Sequence, residues 1–340
     1  MTISLKSRHL VLPGGSTDVL RQGVINLGNE VERLLDYPSS KGDDNLRQDL
    51  KKITPNWSGD VLVTGSATQA LSLALSLIGK GKTIALHVPA YFSIIQQAKE
   101  LKQNILAWET IDELEKLGKV DAIITTSNHT PPASISLSMT EKQRIADISK
   151  KHNAWVIEDN AYEPLWFNQD PLPIPVDADR SIRIGSLSKI AGPALRLGFI
   201  RASDEILELI RQKKITNELS TSLAPQIIVR PSLTTSNLDN MRRTLHQRAD
   251  HLREGLEHHT KVPIPKPDGG SYLRLDLPAN CDPHTLAQVA EKKGLLIDTN
   301  KDQYPDEVVR PWLRLHCGAI ATENIPEAAD ILHRSIEELR

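Results

Sequence analysis

VLVTGSATQALSLALSLIGKGKTIALHVPAYFSIIQQAKELKQNILAW, Val61 to Trp108, decides the fold class of this chain. Three short apolar runs, VLVTG, TIALHVP and NILAW, are separated by Gln69 to Ile78 and Phe92 to Leu101, whose apolar residues recur at helical spacing. Strands that alternate with helices are joined by crossovers instead of hairpins, so the segment predicts a mostly parallel sheet with helices on its faces. Reading outward, VDAIITT and AWVIEDN add further strands, and Thr140 with Gln143 has the spacing of a capping box that opens a helix running to about Lys151. SIRIGSL and LGFIRA lie too close together for a crossover helix, which predicts an antiparallel pair inside the same sheet.

Beyond these strands the pattern changes. Asp239 to His259 spreads charge around Leu245, Leu252 and Leu256, as in a long surface helix leading away from the sheet. SYLRLDLP alternates with period two, DPHTLAQVAEKKG reads as a capped helix ending at Gly294, LLIDT and WLRLHC read as strands, and Asn324 to Leu339 reads as a terminal helix. The expectation is an N-terminal segment, 1–44, packed on a small α+β domain, 241–340, with a large α/β domain at 45–240. No internal repeat or low-complexity linker interrupts it.

Composition narrows the function classes. At 340 residues with 39% apolar side chains, the chain can bury an enzyme-sized core. Forty-one basic and 43 acidic residues leave a net charge of -2 with no block of one sign, which argues against nucleic-acid and membrane partners. Cys281 and Cys317 are the two cysteines, too few for a disulfide framework or a four-thiolate zinc site, and they fit a reducing compartment. The opening MTISLKSRHLVLPGG carries only the apolar run Leu10 to Leu12, short of a secretory segment, and Ser72 and Ser76 interrupt the longest apolar stretch, Ala70 to Ile78. A soluble, cytoplasmic protein is expected.

Several motifs read as ordinary structure. SLIGKGKT, Ser76 to Thr83, ends like a phosphate-binding loop, but Ser76 stands at the first glycine position and the segment follows a helix, so it reads as a helix C-cap turn. There is no GxGxxG. His246, His251, His258 and His259 share a charged helix without a second ligand set, and read as solvated side chains, with no metal expected.

The segment with chemical content is GSLSKIAGPALRLG, Gly185 to Gly198. Ser186, Ser188, Lys189 and Arg196 follow a strand within a glycine-flanked run, and together can hold a dianionic phosphate beside an amine nucleophile. Asp159 in IEDNAY ends a strand at the sheet's carboxyl edge, where α/β folds place their ligands. Ser66, Ala67 and Thr68 lie between a strand and a helix, where amides, hydroxyls and the helix dipole can face a phosphate or simply cap the helix.

With these parts in this order, the chain resembles the class I/II aminotransferases of pyridoxal-phosphate fold type I, from about Asn26 to its end. The resemblance implies a mostly parallel sheet of the seven-stranded type sandwiched by helices, a smaller α+β domain, pyridoxal 5'-phosphate as cofactor and a homodimer. It implies that Lys189 holds the cofactor as a Schiff base and that Asp159 pairs with the pyridine nitrogen, where an ionised carboxylate favours the pyridinium electron sink. Tyr162 would bond the phenolic oxygen and Tyr91, in HVPAYF, would stack on the pyridine face. Tyr37 and Gly42, in DYPSSKGDDNLR, match a pattern whose tyrosine reaches the neighbouring subunit's phosphate. In WLRLHCG, Arg314 would grip the substrate α-carboxylate as a fork, which a lysine does poorly, while Arg274 is expected to face solvent. Gly28 is placed with the substrate contacts. The family's Asn-Pro-Thr-Gly segment, whose Asn bonds the phenolic oxygen and neighbours substrate, is here SNHTPPAS. Asn128 is the candidate for that role, Thr130 competes with it by register before Pro131, and His129 is expected to face substrate.

The leading function is transamination of an amino acid with an oxoacid as second partner, Lys189 shuttling the α-proton. The alternative on the same residues is a lyase, decarboxylase or cyclase. A ligand-sensing regulator is a third class, for which the sequence before Asn26 is expected to be too short to hold a DNA-binding domain.

Overall fold

The structure is a computed structural model describing residues 2–6, 16–278 and 280–339. The apolar run Leu10 to Leu12 lies outside the described residues. In chain order the elements are β1 (Ile3–Ser4), α1 (Ser16–Asn29), α2 (Asp44–Ile53), β2 (Asp60–Thr64), α3 (Ala67–Ile78), β3 (Thr83–His87), α4 (Phe92–Glu100), β4 (Asn104–Trp108) and α5 (Ile111–Lys116). They continue with β5 (Ala122–Thr125), α6 (Met139–His152), β6 (Trp155–Asp159), β7 (Ser181–Ser186), β8 (Gly198–Ala202), α7 (Asp204–Glu218), α8 (Leu223–Val229) and α9 (Thr235–Thr260). The last are β9 (Tyr272–Asp276), α10 (Pro283–Lys292), β10 (Leu295–Leu296), β11 (Trp312–His316) and α11 (Ile325–Glu337).

Seven strands form the central sheet in the order β2-β8-β7-β6-β5-β3-β4. β8 is antiparallel to both β7 and β2, as the short connection between SIRIGSL and LGFIRA requires, and the remaining pairs are parallel. Period two divides each strand between the two faces. Ile84, Leu86, Ile124, Ile157, Ile182 and Ile184 pack with Leu71, Leu75, Ile94 and Ile206 on one side. Ala85, Ile123 and Val156 pack with Leu114, Ile145 and Ile148 on the other. Each such side chain taken fully from water contributes roughly 1.5–3 kcal/mol, so a sheet covered on both faces is the stable arrangement for strands this apolar.

β9 and β11 form an antiparallel pair whose leucines, Leu273, Leu275, Leu313 and Leu315, share a second core with α10 and α11. α9 connects the two cores. Its Leu238, Met241 and Leu245 lie in a cluster with Val61, Val63 and Phe199, whereas Ala249, Leu252 and Leu256 lie in the β9/β11 core. The leucines expected around a surface helix are therefore its buried stripe. The N-terminal segment divides: β1 pairs with β10, while Gly23 of α1 lies against the backbone of Ile228 in α8.

Two local expectations change. α6 opens at Ser138, not Thr140, through a capping box of Ser138 with Glu141. SMTEKQ contains both S-x-x-E and T-x-x-Q, and the earlier pair starts the helix, leaving Thr140 inside its first turn. LLIDT contributes only Leu295–Leu296 to a strand, the length of its two-residue partner β1.

Candidate active site

The register brings the chemical groups to one edge. Thr64 and Ser186 both pair with Gly198, and Asp159 pairs with Ile184, so the ends of β2, β6 and β7 open beside the start of β8. α3 begins there, with the Ser66 side chain accepting the Gln69 amide at 3.0 Å. A Cβ on Gly198 would stand 2.3 Å from the Ala67 nitrogen and 2.4 Å from the Ser66 carbonyl carbon. Only a glycine lets β8 approach the first turn of α3 this closely. The Thr68 hydroxyl is 3.3 Å from the Tyr91 hydroxyl, which places Tyr91, at 43% exposed, beside the same turn.

Asp159 is buried, and its Oδ1 has no hydrogen-bond partner among the described residues. Burial pushes its carboxyl up to about 6, with the Lys189 charge pulling the other way. A buried carboxylate oxygen without a donor is costly unless a further partner fills the place. Lys189 Nζ stands 5.3 Å from the centre of the Tyr162 ring. The Tyr162 hydroxyl donates to the Tyr272 hydroxyl at 2.9 Å, and burial pushes Tyr162 up to about 12. The Arg314 guanidinium lies over the Tyr272 ring, 4.9 Å from its centre. Arg314 reaches Asp298 at 3.8 Å and Gln303 at 3.5 Å, while its Nε is buried without a hydrogen bond among the described residues.

Ser186 Oγ accepts the Ser188 amide at 3.3 Å, shaping the turn that carries Lys189. Arg196 is exposed, in the left-handed region at φ 51°, and its Nη1 donates to the Pro193 carbonyl. Arg274 lies opposite Arg314 across β9 and β11, with Nε on Asp276 at 2.8 Å. Tyr37 is 84% exposed, and Gly42 sits at φ +105° where a Cβ would meet Val63 at 2.4 Å.

Three residues expected at the site are placed elsewhere. Asn128 is fully buried, its Nδ2 donating to Glu163 at 2.8 Å and its Oδ1 accepting Lys142 Nζ at 2.6 Å, so both ends of its amide are engaged inside the protein. His129 is 1% exposed and its Nδ1 meets Asp268 Oδ1 at 2.7 Å, tucked against Gly269 instead of facing substrate. Gly28 lies on the exposed face of α1, with open space where a Cβ would be. Thr130 Oγ1 donates to the Thr126 carbonyl at 2.6 Å.

Sequence reading did not find Tyr272, Glu163 or His87. Glu163 accepts Asn128 and Asn160 at 2.8 and 2.7 Å as well as the Trp57 indole, and burial pushes it up to about 8. His87 stacks on Trp108 at 4.2 Å and shares a hydrogen bond with Thr125, with burial taking it down to about 4. The period-two signal of SYLRLDLP put Tyr272 on one face with Arg274, and only the pairing with β11 shows that Arg314 shares that face.

Known proteins resemble this chain in sequence and in fold. An aromatic-amino-acid aminotransferase of Thermococcus litoralis is 25% identical over 92% of this chain and 82% of its own length. A 2-aminoadipate transaminase of Thermus thermophilus is 23% identical over 85% of this chain and 79% of its own. In fold, a crystal structure of Pyrococcus horikoshii kynurenine aminotransferase covers 99% of this chain and 91% of that one, with a TM-score of 0.89 at 21% identity. The profile of the family described as Aminotransferase class I and II matches residues 21–332, and the chain belongs to that family.

Proposed function

We propose that the chain transfers the amino group of an α-amino acid, using pyridoxal 5'-phosphate held on Lys189 and an oxoacid as the second partner. The observation that carries this reading is Asp159: a buried carboxylate with an orphaned oxygen, facing a lysine across the open edge of an α/β sheet. That oxygen fits a protonated ring nitrogen, and the close approach of Gly198 to Ser66 and Ala67 leaves backbone amides at a helix start for a phosphate. Ser66, Ala67, Thr68, Ser186, Ser188 and Arg196 would hold the phosphate end, with Tyr91 against the ring. Bound there, the cofactor supplies an aldehyde and a ring that takes up electron density from the substrate α-carbon.

The chain's own groups supply the rest. Ionised Asp159 keeps the ring nitrogen protonated, and that charge in turn favours the ionised carboxylate. Lys189 Nζ, freed when the substrate amine takes its place, would be the base that accepts the α-carbon proton. Tyr162 would turn its proton from Tyr272 to the phenolic oxygen. Arg314 binds the α-carboxylate as a fork, the Asp298 contact at 3.8 Å giving way to a shorter pair. The named relatives are an aromatic-amino-acid aminotransferase and a 2-aminoadipate transaminase, and the reading is kept to what those names share, an amino acid as amino donor.

A homodimer belongs to the same proposal. Val24, Ile25, Val31, Leu34, Leu35 and Tyr37 are 41–87% exposed on one stretch of chain, a load of apolar surface suited to a second copy. A cytoplasmic location is supported by two buried free cysteines. Among the described residues no helix is long and apolar enough to cross a membrane. We also assign the division into two units, with the boundary inside α9.

The test is an amino-acid panel on the yellow, cofactor-loaded enzyme. A stoichiometric amount of a productive amino acid should bleach the absorbance once, release its oxoacid, and be reversed by pyruvate or 2-oxoglutarate. Asp159→Asn should slow that step roughly 10- to 1,000-fold, the loss of an opposite charge worth 1–3 pKa units. Sustained turnover with no oxoacid present, releasing carbon dioxide, water or a side-chain fragment, would refute transamination.

A further inference from the structure

We infer that Tyr272 is a positioning residue of this site, orienting the Tyr162 hydroxyl with its own and seating the Arg314 guanidinium on its ring. The inference rests on the reading above and adds a residue to it. Tyr272 is 4% exposed and has Tyr162 on one side, with hydroxyls 2.9 Å apart and rings edge to face at 5.4 Å. Arg314 lies over its ring at 4.9 Å, and the His316 ring is 4.8 Å away. A single side chain therefore touches both the tyrosine nearest Lys189 and the arginine expected to take the carboxylate.

The backbone of Tyr272 is held as firmly as its side chain. Its amide donates to Ser134 Oγ at 3.0 Å, and the Asp268 amide donates to the Ser134 carbonyl at 3.1 Å. Gly270, at φ +68°, leaves only 3.0 Å between a Cβ and Ser134 Oγ. The SNHTPPAS segment, whose Asn128 is spent on Lys142 and Glu163, thus fixes the start of the strand that carries Tyr272.

A phenol has one proton to donate and can accept another. With its proton turned toward a cofactor phenolic oxygen, Tyr162 can accept from Tyr272, and each bond in such a chain strengthens the next. With the cofactor bound, a stronger donor from Tyr162 would stabilise negative charge on that oxygen and so favour the deprotonated form of the chromophore. Tyr272 thereby lowers the pH at which the bound chromophore titrates, and its ring attracts the Arg314 charge by its π face.

The experiment is an absorbance titration of loaded wild type, Tyr272→Phe, Tyr272→Leu and Tyr162→Phe, each repeated with the monocarboxylate probe 3-phenylpropionate. Tyr272→Phe should raise the chromophore's pKa by roughly 0.3–1 unit and leave probe affinity within about twofold of wild type. Tyr272→Leu should show the same rise and weaken the probe roughly 2- to 30-fold. A Tyr272→Phe titration within 0.1 unit of wild type, while Tyr162→Phe moves, overturns the inference, as does equal probe binding by the Phe and Leu variants. If Tyr162→Phe moves nothing, the placement of Tyr162 in the proposed function fails instead. Should Tyr272→Leu not fold, the Tyr272→Phe titration alone decides, since a merely packing tyrosine would leave it unmoved.

Discussion

Gly198→Ala tests the place where fold and site coincide. The added Cβ would lie 2.3 Å from the Ala67 nitrogen, 2.4 Å from the Ser66 carbonyl carbon and 2.9 Å from the Ala67 Cα. Carbon contacts settle near ~3.5 Å, so α3 or β8 must retreat by about 1 Å. All three obstacles are backbone, so no rotamer change relieves them. Overpacking of this kind costs about 1–3 kcal/mol, or a fall in Tm of roughly 1–4 °C for a chain of this size. A 1 Å retreat also takes a helix-start amide out of hydrogen-bond range of an anion. One bond to a charged group is worth about 1.5–3 kcal/mol, so cofactor affinity should fall roughly 10- to 100-fold. Calorimetry of the cofactor-free protein and absorbance titration with pyridoxal phosphate measure the two effects separately. Gly28→Ala is the control, with nothing near its Cβ and a helical position where alanine adds about 0.5–1 kcal/mol. Wild-type cofactor affinity in Gly198→Ala would refute the phosphate assignment, even if Tm falls.

Glu163 has its carboxyl raised from 4.5 to about 8, so it holds its proton more tightly folded than unfolded. Its stabilising contribution is complete below about pH 4.5 and is lost as pH rises toward 8. Wild type should lose Tm relative to Glu163→Gln between pH 5 and 8, and parallel curves would remove Glu163 from this role. For the dimer, inactive Lys189→Ala mixed with an inactive Tyr37 variant should regain activity if the two residues meet across an interface. No recovery in a verified mixed dimer would place both residues in one subunit's site or Tyr37 in none.

Periodicity made the sheet and its antiparallel pair legible, because an apolar strand between helices has few ways to be covered. The place of Asp159 at the sheet's edge was legible for a related reason: a polar residue at the end of an apolar strand falls there whatever the loops do. Asn128 was not, because the direction of a loop amide is set by its partners. Lys142 on α6 and Glu163 after β6 are both buried polar groups that bond to the Asn128 amide, one at each end. Tyr272 escaped for the same reason, its meaning depending on the β9/β11 register.

The polar chain behind Asp159 explains why the loops hold one geometry. Glu158 and Asn160 flank Asp159 on β6 and its turn, so period two sends them to the opposite face. There Glu158 pairs with Arg183 at 2.8 Å and accepts Ser127 at 2.5 Å, while Asn160 Oδ1 accepts the amides of Ser127 and Asn128 and its Nδ2 donates to Glu163. Replacing such buried ions by apolar groups is often neutral or stabilising, whereas removing one partner costs about 3–5 kcal/mol. Stability alone therefore gives little reason to bury them. What the network does is leave the Ser127 to His129 loop and the turn through Tyr162 a single set of mutually satisfied positions. Asp159, on the other face of the same three residues, is held in place by neighbours that never touch the ligand.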